Sequence, residues 1–138
     1  MVDGMPKTPE YAELHCHSNY SFQEGSSRLD ELVSTALSHQ YRALAITDHN
    51  NLVGAMSFGQ IAIPTTIKAI TGVELTMQDG SHLTLLAATQ RGYSNLCRLV
   101  SLSYYQGTRT DPRLDADSLP EYAEGIVALS GCQNGIIP

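Results

Sequence analysis

The sequence has 138 residues, of which 42% are hydrophobic and 16% charged, and a formal net charge of −6. This composition is typical of one soluble globular domain with a hydrophobic core. The negative charge argues against a surface that grips nucleic acid by itself, because phosphate contacts need clustered Lys and Arg. No apolar run has the length of a membrane helix, and the start lacks a signal-peptide pattern. We therefore expect a cytoplasmic protein with no membrane partner.

Strand-like and helix-like segments alternate along the chain. We predict strands at 11–14, 41–47, 67–73, 82–88 and 125–130, helices at 29–37, 52–63 and 92–105, and a helical turn at 119–123. Ser26 or Ser27 is expected to cap the first helix. The βαβα order predicts a mainly parallel sheet with helices outside it. The Asp79-Gly80 turn predicts a hairpin, which allows one local antiparallel pair.

Two histidines separated by one residue, His15 and His17, follow the first predicted strand. Residues i and i+2 of an extended strand face the same side, so both imidazoles are expected to point at one place. Two converging neutral imidazoles favour a divalent metal. Cys16 lies between them, faces the other side and is expected to pack in the core.

Metal-binding residue types also mark the other predicted strands. Asp48 and His49 close the second strand, Glu74 closes the third, and Cys132 follows the last. His82 begins a strand, and the hairpin can return it to the same rim. Sites in parallel α/β folds gather at the carboxyl ends of strands. Because His, carboxylate and thiolate ligands together can hold several cations, we infer a metal-dependent phosphoesterase site.

Several of these residues also have simpler interpretations. Asp48 could orient a ligating histidine or cap a helix instead of binding a metal. Glu74 could be a surface carboxylate, and His82 a histidine at a strand edge. Cys132 could be a packed thiol. His39 lies in a polar stretch and is expected to be exposed.

Three motifs, in this order, resemble those of the PHP (polymerase and histidinol phosphatase) family. They are His15-Cys16-His17-Ser18, Thr47-Asp48-His49-Asn50 and Gly72-Val73-Glu74. The segments 21–26, 82–88, 92–99 and 125–132 resemble the amino-terminal PHP domain of bacterial C-family DNA polymerases. That group comprises the DNA polymerase III alpha subunit and its error-prone relatives. The resemblance covers about 11–135.

The resemblance implies an α/β fold, a partial distorted (β/α)7 TIM-like barrel, with a tail at 1–10 and the PHP domain at 11–138. It implies up to three divalent metals (Zn, Mn or Fe) at the carboxyl rim. The metal ligands that it implies are His15, His17, Glu24, His49, Glu74, His82 and Cys132. Glu24 stands where the family usually has Asp. Catalysis would depend on His15, His17, His49 and Glu74 through the bound metal. Tyr93, Tyr104 and Tyr105 are expected to pack against the barrel.

The resemblance also implies a role in DNA replication or repair synthesis. The partners would be the remainder of the polymerase chain, DNA and other replication subunits, and the complete domain would be a phosphoesterase with 3′–5′ exonuclease activity. Two alternatives stay open: a non-catalytic metal-stabilised scaffold, and a stand-alone phosphatase acting on a small phosphate ester, against which 82–105 argues. The family pattern closes with an Asp-x-His pair that this sequence lacks. We therefore expect a fragment, truncated before the last strands and poorly active alone.

Overall fold

The computed structural model describes residues 10–131 and 133–136. The elements are β1 (Ala12–Glu13), α1 (Leu29–Ser38), β2 (Ala43–Ile46), α2 (Ala55–Ala62), β3 (Lys68–Thr76), β4 (His82–Ala87), α3 (Gln90–Gln106) and β5 (Ile126–Leu129). Two short 3-10 turns, Ala116–Ser118 and Pro120–Tyr122, precede β5. None of these helices combines the length and apolar character of a membrane span. Apart from Glu10, the predicted tail lies outside the described residues, and so does Cys132.

The strands form a curled half-barrel sheet in the order β1-β2-β3-β4-β5, which confirms the predicted partial barrel. β1, β2 and β3 run parallel, whereas β4 is antiparallel to both of its neighbours, β3 and β5. The carboxyl ends of β1, β2, β3 and β5 therefore share one rim with the start of β4. The prediction of a mainly parallel sheet was wrong, because the tight 78–81 turn reverses β4 and α3 returns β5 beside it.

Helices cover one face of the sheet and form two hydrophobic clusters with it. The cluster beneath α1 and α2 contains Leu29, Val33, Ala36, Leu44, Ile46, Phe58 and Ile67. The cluster beneath α3 contains Val73, Leu75, Met77, Leu83, Leu85, Leu96, Leu99 and Leu114. Side chains alternate along a strand, so residues 74 and 76 of β3 face away from these helices. The polar face of the sheet is thus left for the rim residues.

Two predicted element ends differ from the structure. Arg28 caps α1, not Ser26 or Ser27, and its backbone N–H donates to the Glu31 carboxylate at 2.8 Å. β3 continues to Thr76 instead of ending at Val73 because pairing with β4 extends as far as the Thr76 and His82 partners. Glu74 therefore lies inside a strand, where its backbone is held on both sides.

The prediction that the tyrosines of α3 pack against the barrel was wrong. Tyr93, Tyr104 and Tyr105 are 41%, 39% and 87% exposed. The core face of α3 is formed by Leu96 and Leu99 instead, since they meet the sheet at helical spacing. The expected exposure of His39 is confirmed.

We predict opposite effects for two Gly→Ala changes. A methyl group at Gly92 would lie 1.9 Å from the backbone oxygen of Gly125, so Gly92→Ala should lower the free energy of unfolding by ~1–3 kcal/mol. Gly59, within α2, has no heavy atom within 4 Å of an added Cβ, so Gly59→Ala should raise it by ~0.5–1 kcal/mol. Chemical denaturation measures the free energy of unfolding of both variants. Similar free energies for the two variants would contradict the close packing of α3 against the chain that leads into β5.

Candidate metal centre

The rim brings five of the predicted ligands together around one carboxylate. His15 and His17 follow β1, His49 follows β2, Glu74 lies in β3, and His82 begins β4. A parallel bridge between His49 and Glu74 continues the pairing of β2 and β3 beyond the end of β2. The return of His82 to the rim through the hairpin is as expected.

Glu74 is 2% exposed and touches all four histidines. Its Oε2 lies 2.7 Å from Nε2 of His15, and its Oε1 lies 3.4 Å from Nε2 of His17. The same Oε1 lies 3.3 Å from Nδ1 of His49 and 3.2 Å from Nδ1 of His82. Glu74 is therefore no surface carboxylate. The imidazole nitrogens converge on it from the ends of β1 and β2 and from the start of β4.

Two groups of three ligands share this carboxylate. Within each of the groups His15-His17-Glu74 and His49-Glu74-His82, the ligand atoms lie within 4.8 Å of one another. Nε2 of His17 and Oε2 of Glu74 are also buried, and their close contacts within this group do not have hydrogen-bond geometry in the described residues. Buried polar atoms without partners cost free energy unless a ligand binds them. Nitrogen and carboxylate donors with open lone pairs fit divalent cations such as Zn, Mn or Fe.

Glu24 joins the centre from the loop between β1 and α1. Its Oε2 lies 2.9 Å from Nδ1 of His49 and 3.4 Å from Nδ1 of His17. The Glu24 side chain is 42% exposed, unlike that of Glu74. A second carboxylate thus stands at the solvent side of the histidines, although it is one methylene longer than the usual aspartate.

Among the described residues, Asp48 makes its hydrogen bonds neither to a histidine ring nor as a helix cap. Its buried carboxylate accepts hydrogen bonds from the backbone N–H and the hydroxyl of Ser18, at 2.6 and 2.7 Å. It also accepts one from the hydroxyl of Ser21 at 2.8 Å, and that hydroxyl accepts the backbone N–H of His49 at 2.9 Å. Asp48 therefore ties the loop that carries Glu24 to the end of β2.

Two residues of the centre were missed in the sequence, Asn50 and Thr76. The Thr76 hydroxyl lies 2.6 Å from Nε2 of His49, and the Asn50 amide donates to that hydroxyl at 2.9 Å. The Asn50 amide oxygen accepts the backbone N–H of Thr76 at 2.9 Å. This pair fixes the His49 ring with Nδ1 toward Glu74, as partners of metal-bound histidines commonly do. The signals available in the sequence were an asparagine directly after His49, a residue type that tolerates the positive φ found there (+55°), and a threonine two residues after Glu74.

The centre concentrates opposite charges. Burial by itself raises the pKa of Glu74, but its contacts with His17 and His49 lower that pKa further, so the net shift is downward. The Glu74 carboxylate in turn raises the pKa of His17 and of His49, although burial works in the other direction. Protons on these imidazoles thus compensate the buried carboxylate when no cation does.

Of the two cysteines considered in the sequence, Cys16 and Cys132, the structure describes only Cys16. Cys16 packs against the cluster beneath α1 and α2, as predicted, and burial raises the pKa of its thiol to about 11. It also lines the open cleft through which solvent reaches His15 and His17. Cys132 lies outside the described residues, so its place as a ligand stays a prediction.

The sequence profile of the family described as "PHP domain" matches residues 13–138. The chain belongs to the PHP domain family. It is 40% identical to the error-prone DNA polymerase of Symbiobacterium thermophilum and 37% identical to the DNA polymerase III subunit alpha of Borreliella burgdorferi, each over 93% of the chain. The chain spans only 13% and 12% of the lengths of these relatives.

Two solved structures share the fold of this PHP domain. An amidohydrolase from Chromobacterium violaceum, solved with bound sulfate and no metal, matches 68% of the chain and 33% of its own with a TM-score of 0.56 and 24% identity. A proposed metal-dependent phosphoesterase from Bifidobacterium adolescentis matches 71% of the chain and 34% of its own, with a TM-score of 0.57 and 18% identity. These likenesses support the half-barrel architecture.

We predict that Glu74→Gln removes metal binding at both ligand groups. The amide keeps the size of the side chain but loses the charge that two cations would share. Zn²⁺ titration by calorimetry should show binding to the unchanged chain and to Glu121→Gln, an exposed control, but weakened by at least ~100-fold in Glu74→Gln. Equal Zn²⁺ affinity in Glu74→Gln and the control would contradict the shared carboxylate.

We also predict that Zn²⁺ stabilises the chain more at pH 8 than at pH 6. The raised pKa values of His17 and His49 add stability that is complete below their unfolded value of 6.5 and is lost as pH rises through the folded values. Metal must displace these protons, so it binds better at higher pH. Thermal unfolding should show a Tm that falls from pH 6 to pH 8 without metal. A Zn²⁺-induced rise in Tm that is the same at both pH values would contradict proton displacement.

Proposed function

We propose that the chain is the metal-binding PHP domain of a bacterial DNA polymerase III alpha-type subunit. It would hydrolyse phosphodiesters, as a 3′–5′ exonuclease, in cytoplasmic DNA replication or repair synthesis. The observation that carries this proposal is that one buried carboxylate, that of Glu74, is shared by two His-containing groups. The rest of a polymerase chain, DNA and other replication subunits are the proposed partners, supported by the names of the relatives.

The donor set fits the chemistry of phosphodiester hydrolysis. Divalent cations bound there would neutralise phosphate charge and promote the ionisation of water. His15 and His17 would hold one cation and His49 and His82 another, while Glu74 serves both. Asn50 and Thr76 keep the His49 ring oriented. Bound cations would also offset the −6 charge of the chain near an anionic substrate.

Two features of the centre support the proposed hydrolysis, a carboxylate held within a strand and an open cleft. Glu74 sits within the long strand β3, so its position does not depend on a loop. The open cleft lined by His15, His17 and His82 leaves one side of the centre accessible to a phosphate. Glu24, half exposed at this side, lies 2.9 Å from Nδ1 of His49 and would add a second carboxylate near a bound phosphate.

The test is cleavage of bis(p-nitrophenyl) phosphate and of 3′-labelled single-stranded DNA by the chain with added Mn²⁺ or Zn²⁺. We expect weak, metal-dependent cleavage that falls by at least ~100-fold in His15→Ala, because a ligand is lost. His39→Ala, which changes an exposed histidine outside the centre, should cleave as the unchanged chain does. Cleavage that ignores metal, or equal cleavage by both variants, would refute the catalytic proposal.

The same experiment separates the alternatives. A Zn²⁺-dependent rise in Tm without cleavage of either substrate would favour a metal-stabilised scaffold of the polymerase. Cleavage of a phosphomonoester but not of the diester would favour a phosphatase on small esters.

A further inference from the structure

An exposed phenylalanine, Phe22, lies in the loop that brings Glu24 to the metal centre. Phe22 is 87% exposed, whereas the other phenylalanine, Phe58, is 1% exposed. Neither hydrophobic cluster of the described residues includes Phe22. An aromatic ring in solvent retains apolar surface that a ligand can cover favourably. Phe22 is therefore available for a contact that the fold does not use.

The backbone that carries Phe22 is fixed. The carbonyl oxygen of Ser21 accepts the backbone N–H groups of Glu24 and Gly25 at 3.1 and 3.0 Å, which closes a tight turn around Phe22. A methyl group at Gly25 would lie 2.2 Å from the backbone oxygen of Ser18, so the turn packs directly on its own base. The Ser21 hydroxyl also donates a hydrogen bond to the buried Asp48 carboxylate. Phe22 is thus presented by a rigid turn.

This turn is also close to the place where a phosphate would bind. Glu24 follows Phe22 by two residues, and its carboxylate lies 2.9 Å from Nδ1 of His49. Two residues of extended chain span at most about 7 Å, so the Cα of Phe22 is within that distance of the Cα of Glu24. The turn that carries Phe22 therefore lies beside the metal centre.

We propose that Phe22 stacks on an unpaired nucleobase of a single-stranded substrate. This inference rests on the proposed phosphodiesterase function and names its substrate class. Base stacking on an aromatic ring tolerates any sequence and adds affinity without extra positive charge, which suits an acidic chain. The neighbours Gln23, Glu24 and Ser26 are exposed and polar, whereas protein-docking surfaces gather apolar residues in a patch. A nucleobase therefore fits the turn better than a protein partner.

The absence of tryptophan from the sequence allows a direct test. Phe22→Trp places the only tryptophan of the chain in the turn, and Tyr105→Trp places it at an equally exposed position, 87%, on α3; excitation at 295 nm avoids the tyrosines. Each variant, with Zn²⁺ present, is titrated with a short oligodeoxyadenylate and with an abasic strand of the same length and phosphate count. We expect oligodeoxyadenylate to quench Phe22→Trp fluorescence and to bind at least ~5-fold more tightly than the abasic strand. Neither strand should quench Tyr105→Trp.

Equal affinity of Phe22→Trp for the two strands, or equal quenching in the two variants, would overturn the proposal. A blue-shifted Phe22→Trp emission that depends on protein concentration, without DNA, would also overturn it in favour of a second copy covering the ring. Hydrolysis of bis(p-nitrophenyl) phosphate involves no nucleobase, so it tests the proposed function separately. Failure of stacking is thereby distinguishable from failure of catalysis.

Discussion

The arrangement of the site depends on one buried carboxylate. Glu74 lies within β3, 2% exposed, with an imidazole on either side along the rim. A buried carboxylate is costly unless positive charge compensates it, and here either protonated histidines or bound cations can do so. The His15-His17 group and the His49-His82 group, or cations bound to them, both provide this positive charge at the same carboxylate. The two groups are therefore coupled electrostatically, because both interact with the charge of Glu74.

The sheet explains why that carboxylate is positioned so well. Pairing with β2 on one side and with β4 on the other holds the backbone of β3 along its length. The apolar neighbours of Glu74 in β3, Val73 and Leu75, are fully buried beneath α3, so the strand cannot rotate without exposing them. The same packing that stabilises the core thus directs Glu74 toward the rim. Because side chains alternate along β3, Val73 and Leu75 stabilise the core while Glu74 points to the opposite face, where the site lies.

The convergence of these side chains at one rim could be predicted from the sequence because their positions follow from strand order. His15, His17, His49 and Glu74 come at or near the ends of three parallel strands, and such ends meet at one rim. The hairpin returned His82 to this rim, as expected. β5 ends at this rim too, as the sequence predicted, but its antiparallel pairing with β4 could not be foreseen, since the long connection through α3 allows either pairing.

The supporting contacts were harder to predict because they join distant residues through specific side-chain geometry. From the sequence, Asp48 could orient a ligating histidine or cap a helix instead of binding a metal. In the structure its carboxylate accepts hydrogen bonds from Ser18 and Ser21, about thirty residues away. Similarly, the hydrogen bond between Thr76 and the His49 ring follows only from the register of β3. Exposure of Tyr105 was also missed, because helical spacing shows which face is apolar but not which residues the sheet covers.

The most direct test of the central claim is anomalous diffraction at the zinc edge from crystals of the chain grown with Zn²⁺. Our account predicts two anomalous peaks, one on each side of the Glu74 carboxylate, the first bound by His15 and His17 and the second by His49 and His82. Peaks that lie only elsewhere on the chain, with none in contact with Glu74, would contradict it.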